Sequence, residues 1–327
     1  KINCGGPAWQ DYQADWPPTE RTANRYLMSL DFYLDWASVQ FGPEVAAEIA
    51  GIFAEIDNHL PRPSNWVNGP GGIVADPRPW NMVQKDYAFV ERLEALRDRV
   101  RGPGNLERFD DWLNLFRYMR ANARVNCAFH AYKTIVAQIE KTPDIAARRQ
   151  IAEEKARAIR QELVSALAEV HTYLLAHVST YGCLGNVANW QQHVIPMVLG
   201  DTDAQLVKLV GEDVLGDRTL PKSYSGPQRI ILPTVRSVLN RGEPLRVKVI
   251  LLGWENPQGT LFWRPAGETT YQPIPLSHEA RAVYRAEIPG EQLPDIIEYF
   301  IQAEDGNGAV RHPPTAPTMG LTTVVAP

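Results

Sequence analysis

Apolar side chains recur at steps of three and four through most of the first two thirds of the chain. The longest run is Asn105 to Lys141, which contains no Gly or Pro. Leu106, Phe109, Leu113, Phe116, Met119, Ala123, Ala128, Tyr132, Ile135 and Ile139 fall on one helical stripe. The pattern predicts a helix of roughly 50 Å, with Asn105 as its N-cap, the side chain accepting from the free amides of the first turn. A stripe that long needs neighbours along it. Leu27, Leu30, Leu34, Ala37 and Phe41 predict a helix over about 24–41, ended by Gly42. Val45, Ile49, Ile52, Phe53, Ile56 and Leu60 predict a second, opened by Pro43 and stopped by Pro61 and Pro63. Phe89, Leu93, Leu96 and Val100 mark a third over about 82–100. After Thr142-Pro143-Asp144, read as a cap and restart, a fifth runs to about Ser179 on Ala152, Ala156, Ile159, Leu163, Ala166, Val170 and Leu174. Five helices with short or Gly/Pro-marked joints predict a bundle over 1–220, preceded by an irregular lead-in. A short amphipathic piece, Ala204–Leu215, leads into the linker.

From Arg229 the period changes to two. Leu245–Leu251, Gly259–Arg264, Val283–Ile288, Ile296–Ala303 and Thr322–Val325 alternate between turn-forming residues. The expectation for 221–327 is an antiparallel β-sandwich of about seven strands. The fold class is therefore an all-α bundle followed by a sandwich.

Composition narrows the chemistry. The 327 residues carry a net charge of −5 spread along the chain, with no basic patch for nucleic acid or an anionic membrane. There is no run of about 18 apolar residues to span a bilayer. Cys4, Cys127 and Cys183 lie far apart, without C-x-x-C or metal-ligand spacing. Mid-helix Cys127 reads as a buried free thiol. His171 and His177 with Glu169 lack the spacing of a metal site, so neither metal nor cofactor is expected. Asp31 with Asp35, and Glu107 with Asp110 or Asp111, sit near helix starts or one turn apart, where the helix dipole explains them better than a catalytic pair. Cys127 with His130 lacks an orienting third group. No catalytic residue is assigned.

Two stretches break the helical texture. Residues 64–80 hold Trp66, Asn68, Asp76, Arg78 and Trp80 around a Gly/Pro-rich centre. Residues 180–204 gather Asn186, Asn189, Trp190, Gln192 and His193. Pyranose faces stack on flat rings, and sugar hydroxyls bond to amides, carboxylates and guanidinium groups. Trp66, Asn68, Asp76, Arg78, Trp80, Asn189, Trp190, Gln192 and His193 are therefore the candidate carbohydrate-binding residues. The competing reading is that the tryptophans plug the bundle ends and the amides satisfy buried backbone.

Leu261-Phe262-Trp263-Arg264, Val283-Tyr284-Arg285-Ala286-Glu287-Ile288-Pro289 and Ile297–Asp305 before a Gly-Asn-Gly turn resemble fibronectin type III or immunoglobulin-like modules of secreted enzymes. Phe32-Tyr33-Leu34-Asp35-Trp36-Ala37, Gln40-Phe41-Gly42-Pro43-Glu44 and Ala46-Ala47-Glu48-Ile49-Ala50 are similar to the helical segment that follows the catalytic barrel in large alpha-glucuronidase-type glycoside hydrolases. In those enzymes a bundle and a sandwich follow the barrel in that order. A barrel needs about 250 residues of alternating strand and helix, and none is present here. The resemblance thus implies the C-terminal part of a larger secreted or periplasmic enzyme of polysaccharide degradation. The expected role is a non-catalytic region that supports a glycan site, with a polysaccharide or oligosaccharide and a preceding catalytic domain as partners. The alternatives are a stand-alone carbohydrate-binding module and a structural or interaction protein.

Overall fold

The computed structural model describes residues 2–3, 13–14, 21–57, 59–65, 72–216, 219–220, 224, 226–305 and 308–326. Helices occupy the N-terminal half and β-sheets the C-terminal part. In chain order the helices are α1 (Arg21–Phe41), α2 (Ala46–Ile56), α3 (Trp80–Val83), α4 (Ala88–Leu96), α5 (Pro103–Lys141), α6 (Ile145–Ile151), α7 (Arg157–His177), α8 (Tyr181–Asn189) and α9 (Asp201–Val210). The strands are β1 (Ile2–Asn3), β2 (Gln13–Ala14), β3 (Ser64–Asn65), β4 (Gly72–Ile73), β5 (Arg229–Ile231), β6 (Val238–Asn240), β7 (Leu245–Leu252), β8 (Gln258–Pro265), β9 (Gln272–Pro275), β10 (Ser277–Ala280), β11 (Val283–Ile288), β12 (Ile296–Asp305), β13 (Gly308–His312) and β14 (Leu321–Ala326). The chain forms two compact units, Lys1–Pro61 with Tyr87–Leu113, and Arg62–Asp86 with Asn114–Pro327. No helix among the described residues is long and apolar enough to cross a membrane.

In the first unit, part of each predicted stripe is buried, while Leu34 and Leu60 are exposed. Ala37, Phe41, Ile49, Ile52, Phe53, Leu93, Phe109 and Leu113 form its core, each large side chain contributing about 1.5–3 kcal/mol by leaving water. Trp36, Phe53 and Trp112 meet edge-on or tilted, with centroids 4.8–5.8 Å apart, the geometry that ring quadrupoles favour. Two expectations change here. Pro43 does not begin a helix: residues 43–45 form a turn and α2 starts at Ala46. Asn105 is not an N-cap, because α5 already begins at Pro103. Its amide instead donates to the Arg101 carbonyl at 2.9 Å and its oxygen accepts from Arg108 at 2.6 Å. Proline in the first turn lacks a donor that no carbonyl would have met.

In the second unit, α5 from Asn114 onward, α6, α7, α8 and α9 share a core of Val125, Phe129, Tyr132, Val136, Leu163, Leu167, Val170 and Leu174. The predicted fifth helix is interrupted: α6 and α7 are joined by a wider, π-type turn over Ala152–Ala156. Asp144, not Thr142, is its cap, accepting from the Ala147 amide at 2.7 Å. Thr142 donates back to the Gln138 carbonyl. Residues 180–204, expected to be irregular, are mostly helical. Thr180 caps α8 by accepting from the Cys183 amide, and two π-type turns, Trp190–Val194 and Pro196–Gly200, lead into α9. Val187, Trp190, Val194 and Val198 are buried. Their spacing of three, four and four is a helical stripe, and it outweighs Gly182, Gly185 and Pro196. Buried Arg160 of α7 ties α9 down: its guanidinium donates to Asp203 at 2.8–3.0 Å, and the Tyr132 hydroxyl donates to the same carboxylate at 2.7 Å.

Among the described residues, the C-terminal part holds ten strands in two sheets. One has the order β10-β11-β7-β5 and the other β6-β14-β12-β8-β9. One edge of β12 pairs with β8. The other pairs first with β14 and then with β13. The β6–β14 pair is parallel, so the second sheet is mixed where a purely antiparallel arrangement was expected. Leu245, Val247, Val249 and Leu251 of β7 alternate inward and share one apolar core with Leu261, Trp263, Ile297, Tyr299 and Ile301 of the other sheet. Ile231, Ile250 and Leu252 instead join the helical core. Arg229 donates to the Leu175 and Val178 carbonyls at the end of α7.

Candidate functional site

The second unit contains a half-open cleft of about 510 Å3. One wall is the extended segment Pro77-Arg78-Pro79 and Trp80 at the start of α3. The other is built from α5, through Arg124, Cys127, Ala128, His130 and Ala131, and from α7, through Ala158, Ile159 and Glu162. Local sequence sets this geometry. Two prolines keep 77–79 out of a helix until Trp80. The segment is pinned to α5 at two points: the Asn126 amide donates to the Pro63 carbonyl, and the Asp76 backbone amide donates to the Asn126 carbonyl at 3.2 Å.

Charged groups in the cleft are held in place. Asp76 accepts the Arg78 backbone amide at 2.9 Å and the guanidinium through both oxygens, at 2.7–3.2 Å. Asp86 accepts from the same guanidinium at 3.4 Å. The Arg78 bonds hold the Asp76 carboxyl below its ordinary range against the opposing effect of burial. Arg124 donates to Glu162 at 2.7 Å and to Glu169 at 2.5 Å. Burial alone would lower the Arg124 pKa, but the bonds to Glu169 and Glu162 outweigh it and raise it. The two-pronged Arg78–Asp76 pair is geometrically specific, and charge-assisted bonds of both arginines are stronger than neutral hydrogen bonds.

The cleft's nucleophile is quiet. Burial, with the Asp76 charge behind it, pushes the Cys127 thiol up to about 11, so it stays protonated at neutral pH. His130 lies on the same wall, with its Nε2 3.4 Å from the Thr134 hydroxyl. Asp110 is bonded to Arg97 at 2.7 and 2.8 Å, and Asp31 and Asp35 are exposed on α1. Among the described residues, no group of three or more His, Cys, Asp or Glu side chains is placed to hold a metal.

The sequence matches no protein-family model and no curated protein.

Of the residues singled out from the sequence, Arg78 and Trp80 line the cleft and Asp76 orients Arg78. Trp66 and Asn68 lie outside the described residues. The second group is elsewhere: none of Asn189, Trp190, Gln192 and His193 lines this cleft. Trp190 is 4 % exposed, and its indole N–H donates to the Tyr118 hydroxyl at 3.0 Å. Asn189 is half-buried, and Gln192 and His193 are exposed. Sequence reasoning did not single out Arg124 and Glu162 as site residues. The available signal was Arg124 standing in a run of small residues, Ala121, Ala123, Cys127, Ala128 and Ala131, on the long helix.

Proposed function

We propose that this chain is a non-catalytic, glycan-binding region of a secreted carbohydrate-active enzyme, and that the cleft between residues 77–80 and helices α5 and α7 takes the sugar. The observation that carries this reading is the pairing, in one cleft, of a tryptophan with two guanidinium groups already fixed by carboxylates. Trp80 offers a flat ring on which a pyranose stacks. Arg78, Arg124 and Glu162 offer donors and acceptors for hydroxyls at little ordering cost, since their side chains are already held. A volume of about 510 Å3 lies within the roughly 300–1,000 Å3 that small ligands occupy.

The quiet thiol argues for binding without covalent chemistry. The two facing sheets with a shared core support the immunoglobulin-like or fibronectin type III-like assignment of the C-terminal part, a module type that serves as a spacer. A helical region followed by sheets matches the order after the barrel in alpha-glucuronidase-type hydrolases, and on this reading the bond-breaking groups belong to a preceding domain.

Affinity electrophoresis of the chain through gels containing soluble plant and microbial polysaccharides tests the proposal. At least one polymer should retard the protein, and Trp80→Ala should abolish the retardation. Free migration in every gel would contradict it.

A further inference from the structure

The charge inventory of the cleft identifies the class of sugar. This step rests on reading the cleft as a glycan site. Two guanidinium groups of the cleft lining, Arg78 and Arg124, are bonded to four carboxylates: Asp76 and Asp86 hold the first, Glu162 and Glu169 the second, and of the four Glu162 lines the cleft. Neither cation is left over for an anionic ligand. A carboxylate or sulfate entering beside Arg78 or Arg124 would find the positive charge already compensated and would meet a local excess of negative charge, and like charges repel.

An uncharged sugar avoids this cost. Its hydroxyls can accept from guanidinium N–H groups and donate to the free lone pairs of Glu162, leaving each ion pair intact. We infer that the cleft selects neutral over anionic saccharides, with the Arg78–Asp76 and Arg124–Glu162 pairs acting as fixed hydroxyl clamps.

The test compares neutral with anionic polymers, including one pair on a shared cellulose backbone. The full chain is run through gels containing hydroxyethylcellulose, carboxymethylcellulose, neutral mannan or polygalacturonate, at low and at high salt. The inference predicts retardation by at least one neutral polymer, with a dissociation constant that changes less than about twofold between roughly 0.05 and 0.5 M NaCl, because no counter-ion is exchanged. It predicts at least about tenfold weaker binding to the anionic polymers, and loss of the neutral-polymer retardation in Trp80→Ala. Stronger, salt-sensitive binding to carboxymethylcellulose or polygalacturonate, lost in Trp80→Ala, would overturn the neutral-over-anionic inference and leave the cleft a glycan site. No retardation by any polymer would remove the underlying reading as well.

Discussion

Residues 64–80 and 180–204 have the same ingredients, tryptophan set among Asn, Gly and Pro, and opposite fates. The first reaches α5 through the Pro63 and Asp76 backbone and then runs extended along a cleft, with Trp80 half-buried at its edge. The second folds into helix and π-type turns and buries Trp190 in the core, its indole N–H satisfied by Tyr118. Composition does not separate the two stretches. Spacing does: the second carries Val187, Trp190, Val194 and Val198 at helical intervals, whereas Pro77 and Pro79 deny the first any helical stripe before Trp80. An aromatic residue without a stripe is free to meet a ligand, and one within a stripe belongs to the core.

Mutating the two tryptophans breaks this comparison most sharply. Trp190→Ala empties a core site and orphans the Tyr118 hydroxyl. It should cost about 3–5 kcal/mol, read as a lowered urea midpoint, while the remaining folded protein keeps its polysaccharide affinity. Stability within about 0.5 kcal/mol of wild type, the scatter of surface changes, would mean that the indole is not packed as described.

Of similar or slightly smaller size is the effect of Asp203→Asn, which anchors the end of the second stretch. The mutation leaves the buried Arg160 guanidinium without its counter-charge, and breaking a buried pair costs about 3–5 kcal/mol. Because Asp203 is partly solvated, the lower end applies. Hydrogen exchange should rise first in α9. Uniform acceleration across the unit, without preference for α9, would argue against a local anchor.

Acid titration sharpens the same contrast from the other side. Asp76 has a folded pKa below its unfolded value, so its contribution is fully present above the unfolded value, near 4. That contribution is lost as pH falls through the folded pKa. Polysaccharide affinity should therefore hold from neutrality to about pH 4 and decline below it as the Arg78 clamp loosens. Asp76→Asn should show a weaker clamp already at neutral pH. An affinity falling between pH 7 and 5 instead would argue against the Asp76–Arg78 clamp as the group that sets binding.

Much of this architecture was legible in the chain. The long gap-free stripe over 105–141 became α5, Pro103–Lys141, and the alternation over 245–251 became β7. Where one residue type sent two messages, the reading failed. Glycines at 182 and 185 spoke for a loop, yet the buried valines around them enforced helix. Short strands such as β9 and β10 have almost no buried side chains to mark them, and they exist through pairing with β8 and β11. The cleft was half legible. Arg78 and Trp80 stood out in a Pro-rich stretch. Arg124 and Glu162 come from two helices 38 residues apart in sequence, and only the packing of α5 against α7 brings them together.

The most direct measurement is a paired calorimetric experiment on Trp80→Ala: titration with the polysaccharide that retards the wild-type chain, and a thermal scan of the same sample. The account predicts at least about a tenfold loss of affinity, roughly 1.4 kcal/mol. The melting temperature should shift by no more than about 4 °C, as expected for 1 kcal/mol or less in a unit of this size. Wild-type affinity in a well-folded Trp80→Ala would contradict it, and so would a collapse of the melting temperature showing that Trp80, like Trp190, belongs to the core.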